Sequence, residues 1–393
     1  MKKIHKIAIY SGSIPSTTFV ERLILGLSKN ECQIYLFGLL NKKVNYNSSI
    51  KLYAYKNTKS YKAFYLLKYT LLLLCFKSKD KRKLDNILNS KSQNTLLDKV
   101  KCYPVLWHQP DVFHVQWAKS LEYWSWVQDF NIKLVLSLRG AHINYSPIAN
   151  ATLADSYKTY FPKVDRFHAV SKAISKEAEK YGAPPNKIDV VYSGLDLKAF
   201  KSSSNPENPN FNIVSVGRSH WKKGYHYALD ACKILKERNV SFAYTIVGAK
   251  DYLEVMYQIK DLDLEDDVVL LKSMPIDEVK QKIQSASVLL LPSVEEGIAN
   301  VVLEAMASRT IVLTTNCGGM EEVVQDKING FVCPIRDAKA MAEQLIKIEK
   351  ISNAERESIL DKAQRKIEEQ HTEAQMVSNM LNLYGKVLNE ERV

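Results

Sequence analysis

Two carboxylates and two cations stand out by type and spacing. Glu296 and Glu304 bracket a glycine, an asparagine and an apolar run in EEGIANVVLEAM, residues 295–306. Arg218 and Lys223 lie upstream in VGRSHWKKG, residues 216–224. Two carboxylates near one ligand can work as acid and base, anchor hydroxyl groups, or be unrelated surface charges. A guanidinium and an ammonium close together suit a diphosphate, one as a bidentate donor and the other as a point charge. Ordinary solvated loop charges are the alternative for this second stretch.

Local structure says how these groups are presented. VGRSHWKKG follows an apolar strand and precedes a helix, so Gly217 is expected to turn the chain tightly. In PSVEEGIANVVLEAMAS, residues 292–308, Pro292 closes a buried strand. Gly297 permits close backbone approach or a positive φ. Asn300 is the expected N-cap of the next helix, whose N-terminus would offer N–H groups and a positive dipole to an anion. Glu296 then belongs to the loop and Glu304 to the first helical turns. The two should reach a ligand from different directions. A carboxylate repels phosphate, so hydroxyl groups are the partners expected for both.

The chain has 393 residues, which suits two domains. Apolar strands alternate with helices, at Lys6–Tyr10, Val112–Gln116, Lys133–Leu138, Arg166–Val170 and Lys187–Val191 in the first half. The pattern restarts after SSSNPENPN, residues 202–210, the expected linker. This is the signature of two parallel sheets wrapped by helices. The predicted fold is α/β, with two doubly wound Rossmann-like domains and a ligand site in an interdomain cleft, beyond the carboxyl ends of the strands. The expected divisions are an N-terminal acceptor-side domain (1–200), a donor domain (201–370), and a C-terminal helix (371–393) packing back on the N-terminal domain.

Charge is uneven. Residues 1–200 carry 31 Lys/Arg and 14 Asp/Glu, and the remainder 24 and 29. A basic half favours anionic partners. No zinc-finger or RNP-type motif is present, so nucleic acid is not expected. The six cysteines are scattered without a CxxC pair, which indicates neither a zinc site nor a redox motif. No stretch reads as a signal peptide or a spanning helix. A cytoplasmic protein with reduced thiols is the expectation.

Four stretches in order resemble the retaining glycosyltransferases of family 4, which have the GT-B architecture. They are PSTTFVE (15–21), VVYSGLDLKAF (190–200), VGRSHWKKG (216–224) and EGIANVVLE (296–304). The last matches that family's E-x7-E motif. CGG (317–319) followed by Glu321, and Asn329-Gly330, also fit. The resemblance implies roles residue by residue. Arg218 and Lys223 would hold the donor diphosphate, with Gly217 in their loop. Glu304 would bind the ribose and Glu296 the transferred sugar. The backbone of Gly297, Ile298, Ala299, Asn300 and Val301 would cradle sugar and phosphate oxygens. Gly248 would lie near the base. Gly12 and Ser13, in the loop 12–17, would face donor and acceptor from the other wall. The implied reaction is retaining and metal-independent. It uses no cofactor, only a UDP- or GDP-sugar donor and a lipid-linked or oligosaccharide acceptor of a bacterial surface polysaccharide. A sugar-nucleotide epimerase, a hydrolase using Glu296 and Glu304, and a non-catalytic binding protein of the same fold are the rivals.

One departure concerns SLRGAHIN, residues 137–144. Arg139 stands where the family often has a histidine near the reacting sugar, and His142 stands near the place of an aspartate. Arg139 can stabilise an anionic group but cannot be a base near neutral pH. His142 could be a base if it faced inward, and a structural hydrogen bond is its other reading. Asp261-x-Asp263 has a metal-binding form but reads as a solvated turn. His114 reads as a structural histidine on a buried strand.

SYKAFYLLKYTLLLLCFKSKDKRK, residues 60–83, is apolar and aromatic with a basic end. It reads either as a helix lying on an anionic membrane, at the inner face of the cytoplasmic membrane, or as a helix packing into the first domain.

Overall fold

The structure is a computed structural model, and it describes residues 5–30, 32–91, 93–200 and 211–390. The expected linker at 202–210 falls outside these. The chain forms two compact units, residues 1–170, 175–191 and 373–393 in the first, and 171–174 and 192–372 in the second. The sequence reading places the domain break at 200/201, whereas residues 192–200 group with the second unit. Phe200 explains this, because it lies in a core with Leu289, Val302 and Ile367.

The first unit is built on seven parallel strands: β1 (His5–Ile14), β2 (Cys32–Leu40), β3 (Ile50–Tyr55), β4 (Val112–Val115), β5 (Lys133–Leu138), β6 (Arg166–Ala169) and β7 (Ile188–Val190). Their order is β3-β2-β1-β4-β5-β6-β7. β2 and β3 are additional to the strands read from sequence. β1 runs past Tyr10, where the sequence suggests a loop. A register shift against β2 between Tyr10 and Ser13, with Gly12 at φ +86°, carries the strand on as a bulge.

Helix α1 (Thr18–Leu27) follows β1. Thr18 and Glu21, three residues apart, have the sequence spacing of a capping box. Instead Thr17 is the N-cap without a side-chain bond, and Glu21 accepts from the Ser16 N–H (2.6 Å) and the Tyr46 hydroxyl (2.9 Å). Helices α2 (Lys59–Phe76), α3 (Ser78–Ser90) and α4 (Leu96–His108) form the connection from β3 to β4. The C-terminal helix (Glu373–Asn389) joins this unit. It lies so close to α1 that a Cβ on Gly26 would meet Val377 at 2.5 Å.

The second unit has six parallel strands: β8 (Phe211–Val216), β9 (Phe242–Val247), β10 (Val268–Leu271), β11 (Val288–Leu291), β12 (Ile311–Thr315) and β13 (Phe331–Cys333), in the order β10-β9-β8-β11-β12-β13. β11 is buried at every residue, as a strand covered on both faces must be. In both units the first strand has its successor on one side and its fourth-strand neighbour on the other. The order reverses there, and each sheet has a crevice at that point. The likeness extends to detail. Gly38 must lack a Cβ because of the Gly12 carbonyl (2.8 Å), and Gly248 because of the Gly217 carbonyl (2.8 Å).

Candidate active site

The second unit gathers most of the expected residues at its β8/β11 switch point. Gly217 and Arg218 follow β8, and Arg218 is exposed. Gly217 is needed for space more than for turning. A Cβ there would meet the Tyr225 hydroxyl at 2.9 Å and the Lys223 stem at 3.0 Å. A short turn, Trp221–Lys223, leads into helix α5 (Tyr225–Glu237). Gly224 joins them at φ +66°, with the Pro292 carbonyl 1.9 Å from where its Cβ would be. The β8 and β11 loops are thereby locked together, and the Val294 N–H also donates to the Lys222 carbonyl at 2.7 Å.

Glu296 lies inside this junction, 8% exposed. Lys223 Nζ donates to its Oε1 at 2.7 Å, Lys222 Nζ lies 3.4 Å from its Oε2, and Ser293 Oγ donates to Oε1 at 3.2 Å. Burial pushes the Glu296 pKa up, but the two lysines outweigh it and hold the carboxyl below its usual range. Glu296 is therefore a fixed anion. Lys222 and Ser293 are absent from the sequence reading. The Lys-Lys pair was visible, but which lysine is buried depends on how its turn meets β11.

Gly297 is met from the opposite side. The Gly319 N–H donates to the Gly297 carbonyl at 2.9 Å. A Cβ on Gly318 would fall 1.8 Å from the Glu296 carbonyl, and one on Gly319 would fall 2.3 Å from the Gly297 carbonyl. Close approach is thus the role of this loop's glycines, and the positive φ (+52°) belongs to Gly318. Ile298 leads to Ala299, which is the N-cap of helix α6 (Asn300–Ala307). The expectation that Asn300 caps the helix is incorrect. Asn300 is already helical, and its Oδ1 is buried without a partner among the described residues. The amide is left available because Ala299 takes the extended cap conformation one residue earlier. Val301 and Glu304 follow on α6, with Glu304 7% exposed.

Gly248 follows β9 at φ +95° and donates its N–H to the Leu271 carbonyl at 2.9 Å. Asp263 is a turn residue 3.7 Å from Lys233. Its side chain is 82% exposed, as a solvated turn requires.

The first unit gathers its four expected residues at the β1/β4 switch point and the adjoining end of β5. Gly12 and Ser13 form the β1 bulge. Trp117, just after β4, donates Nε1–H to the Ser11 carbonyl at 2.9 Å. The Arg139 guanidinium lies 4.6 Å from the centroid of Phe19 and donates Nη2–H to Gln116 Oε1 at 3.0 Å. Its Nε has no acceptor among the described residues. Burial lowers the Arg139 pKa to about 10, which leaves it charged at neutral pH. His142 stacks at a tilt on Trp117, with centroids 5.5 Å apart. Burial, then Lys119, lowers its pKa to about 4, so it is a neutral and weak base.

A polar chain runs beneath this cluster. His168 Nε2 faces the Val191 carbonyl at 3.0 Å and must donate. Its Nδ1 then accepts from Ser137 at 2.9 Å. Ser137 in turn accepts from His114 Nε2 at 2.8 Å, so His114 Nδ1 accepts from the Tyr384 hydroxyl at 2.8 Å. Every proton in the chain is assigned by the carbonyl at its end. His114 is thereby structural.

Residues 197–367 match the family described as Glycosyl transferases group 1, and residues 81–199 match Glycosyltransferase Family 4. The two matches run without a gap from residue 81 to residue 367. The chain belongs to the family 4 glycosyltransferases. This glycosyltransferase is 32% identical over 245 residues to WcaL of Escherichia coli (strain K12), a protein named for colanic acid biosynthesis, covering 60% of each chain. It is 31% identical over 224 residues to the amylovoran biosynthesis glycosyltransferase AmsK of Erwinia amylovora, covering 55% of each. The aligned part thus spans little more than half the length of these relatives. Among solved structures, HepE of Anabaena in complex with UDP and glucose superposes with a TM-score of 0.73 at 18% identity, covering 97% of this glycosyltransferase and 99% of HepE. Sucrose-phosphate synthase of Thermosynechococcus elongatus gives 0.74 at 15%, covering 98% and 99%. These two likenesses establish the fold, GT-B.

Proposed function

We propose that this glycosyltransferase moves a sugar, with retention and without a metal ion, from a UDP- or GDP-sugar to a lipid-linked glycan of a bacterial surface polysaccharide. The observation that carries the reading is the Glu296 carboxylate fixed by Lys222, Lys223 and Ser293 at the β8/β11 crevice, where an α/β sheet binds its ligand. A carboxylate neutralised by two lysines can accept from sugar hydroxyls without repelling a nearby phosphate. Lys223 and exposed Arg218 bring positive charge for the diphosphate. Glu304 addresses the ribose, and the segment Gly297–Val301 the sugar and phosphate oxygens. The names of the relatives support a polysaccharide product, and the UDP and glucose in HepE support a sugar nucleotide as donor.

In this reading the bond from the anomeric carbon to the phosphate oxygen breaks as the bond to the acceptor oxygen forms. The acceptor proton passes to the leaving phosphate, and the cations stabilise its developing charge. Glu296 is not a nucleophile, because two lysines hold its oxygens. Arg139 and His142 belong to the first unit's cluster, where Arg139 stabilises negative charge.

The test begins with a thermal-shift panel of UDP, GDP and ADP and their sugars, since a true donor raises the midpoint by mass action. The stabilising donor is then incubated with and without a lipid-linked acceptor, with and without EDTA, and the anomeric configuration of the product is read by NMR. Transfer that requires the acceptor, survives EDTA and retains configuration is expected. Turnover of the donor alone would make the protein an epimerase. A midpoint shift without turnover would make it a binding protein, and no shift with any nucleotide would overturn the site assignment.

A further inference from the structure

Helix α2 is apolar on two faces, and only one of them is covered. Tyr65, Tyr69 and Leu73 point inward and are buried, with the Tyr69 hydroxyl 3.0 Å from His108 Nε2 of α4. The opposite stripe carries Phe64, Leu67, Leu71 and Leu74, which are 65%, 57%, 52% and 52% exposed. These recur at helical spacing, so they form one continuous face. Phe76 at its end and Leu96 at the start of α4 extend the patch. Between α2 and α4 lies an apolar cavity of about 570 Å³, with Leu66, Leu67, Leu97 and Val100 in its walls and Lys59 and Lys62 at its edge. A contiguous apolar surface of this kind marks an interaction site.

The charge around it selects the partner. From residue 32 to residue 79 the chain contains nine lysines and no Asp or Glu. Among the described residues, no carboxylate pairs with Lys59, Lys62, Lys68, Lys79 or Arg82. Lys81, just beyond this stretch, is paired to Asp85 at 2.7 Å. A second copy of this chain docking face to face would set lysine fringe against lysine fringe. An anionic lipid surface meets both features, taking the leucines and phenylalanines into its interface and the ammonium groups at its phosphates. The lysines within α2 also stop it from spanning, and no described helix is long and apolar enough to cross a membrane.

We propose that the outer face of α2, with the rim of α4 and the lysines beside them, docks this protein on a bilayer containing anionic lipid. This goes beyond the transfer reaction and does not depend on it, because vesicle binding requires neither donor nor acceptor. If both hold, the protein meets a lipid-linked acceptor at the surface where that acceptor resides.

The sequence supplies its own probe. Of the six cysteines, five are buried and Cys75 alone is exposed, one helical turn beyond Leu71 on the outer face. An environment-sensitive fluorophore on Cys75 of the full chain should shift to the blue with vesicles of phosphatidylcholine and phosphatidylglycerol. It should not respond to phosphatidylcholine alone, and high salt should weaken the response at least tenfold. The same labelled protein carrying L67E and L71E, both exposed positions, should keep its circular dichroism and thermal midpoint but lose the response. K59E with K62E should weaken it at least tenfold. L253E, at an exposed leucine of the second unit, should leave it unchanged. No response to anionic vesicles at low salt, or an equal response in L67E/L71E, overturns the proposal. So does a dimer, seen by sedimentation without lipid, that L67E/L71E dissociates.

Discussion

Lys223 Nζ and Glu296 Oε1 are 2.7 Å apart although 73 residues separate them in the chain. The pair joins the loop after β8 to the loop after β11, and Lys222 completes it at 3.4 Å. Replacing Glu296 with glutamine would leave two lysine ammonium groups, 11% and 15% exposed in their side chains, without their counter-charge. Breaking one partner of such a buried pair costs about 3–5 kcal/mol. We expect E296Q to lower the urea midpoint and to reduce turnover at least a hundredfold. E296Q with K222M should recover part of the stability and none of the turnover. Recovery of turnover in the double variant would show that Glu296 acts only as a structural counter-ion.

His142 tests the chemistry of the first unit. With its pKa lowered to about 4 by burial, it stays neutral through the range where enzymes are assayed. The kcat/KM profile between about pH 5 and pH 8 should keep its shape in H142N. Loss of a limb in that range would make His142 a titrating catalytic group. R139K keeps the charge but loses the planar fork that lies over Phe19 and reaches Gln116. A fall in kcat/KM of at least tenfold is expected with little change in thermal midpoint.

Buried histidines set the acid limit of stability. His168 and His371 are 3% and 1% exposed, and burial lowers their pKa values to about 3 and about 4. Protonation favours the unfolded chain, where histidine titrates near pH 6.5. Their contribution is complete above that pH and is lost as pH falls towards 4, on the order of 3 kcal/mol for each group. Glu296, whose pKa the two lysines lower, loses its ion pairs only as the pH falls through that depressed pKa. Urea midpoints should therefore fall between pH 6.5 and pH 4, and H371Q should flatten the slope. A flat dependence in the wild-type protein would mean that these rings are solvated.

Three glycines separate steric need from conformational need. G318A would place a Cβ 1.8 Å from the Glu296 carbonyl and should cost more than about 3 kcal/mol together with most activity. G12A meets open space but keeps φ +86°, so about 1 kcal/mol is expected from backbone strain alone. Gly385 lies within the C-terminal helix with nothing near its Cβ position, and G385A should stabilise by about 0.5–1 kcal/mol. Chemical denaturation of the three variants would check this order.

Much of the architecture was legible because it is periodic and local. Short apolar runs bounded by turn residues, such as VLLL at 288–291, read as buried strands, and their alternation with helices gives two parallel sheets. The motif residues were legible because their types are informative at fixed spacing. The Asn300 cap failed because capping depends on the backbone angles of one residue, and Ala299 takes that conformation here. β2 is not assignable from the sequence because CQIYLFGLL is a nearly continuous apolar run, which periodicity alone cannot place.

The sequence by itself determined two parallel α/β domains, the candidate carboxylates and cations, and an apolar basic segment at 60–83. Tertiary structure decided which lysine is buried against Glu296, where the glycines are required, and which face of α2 stays uncovered. Those outcomes depend on contacts between residues far apart in the chain. A burial or a close approach is a property of the pair that meets, and neither partner's local sequence contains it.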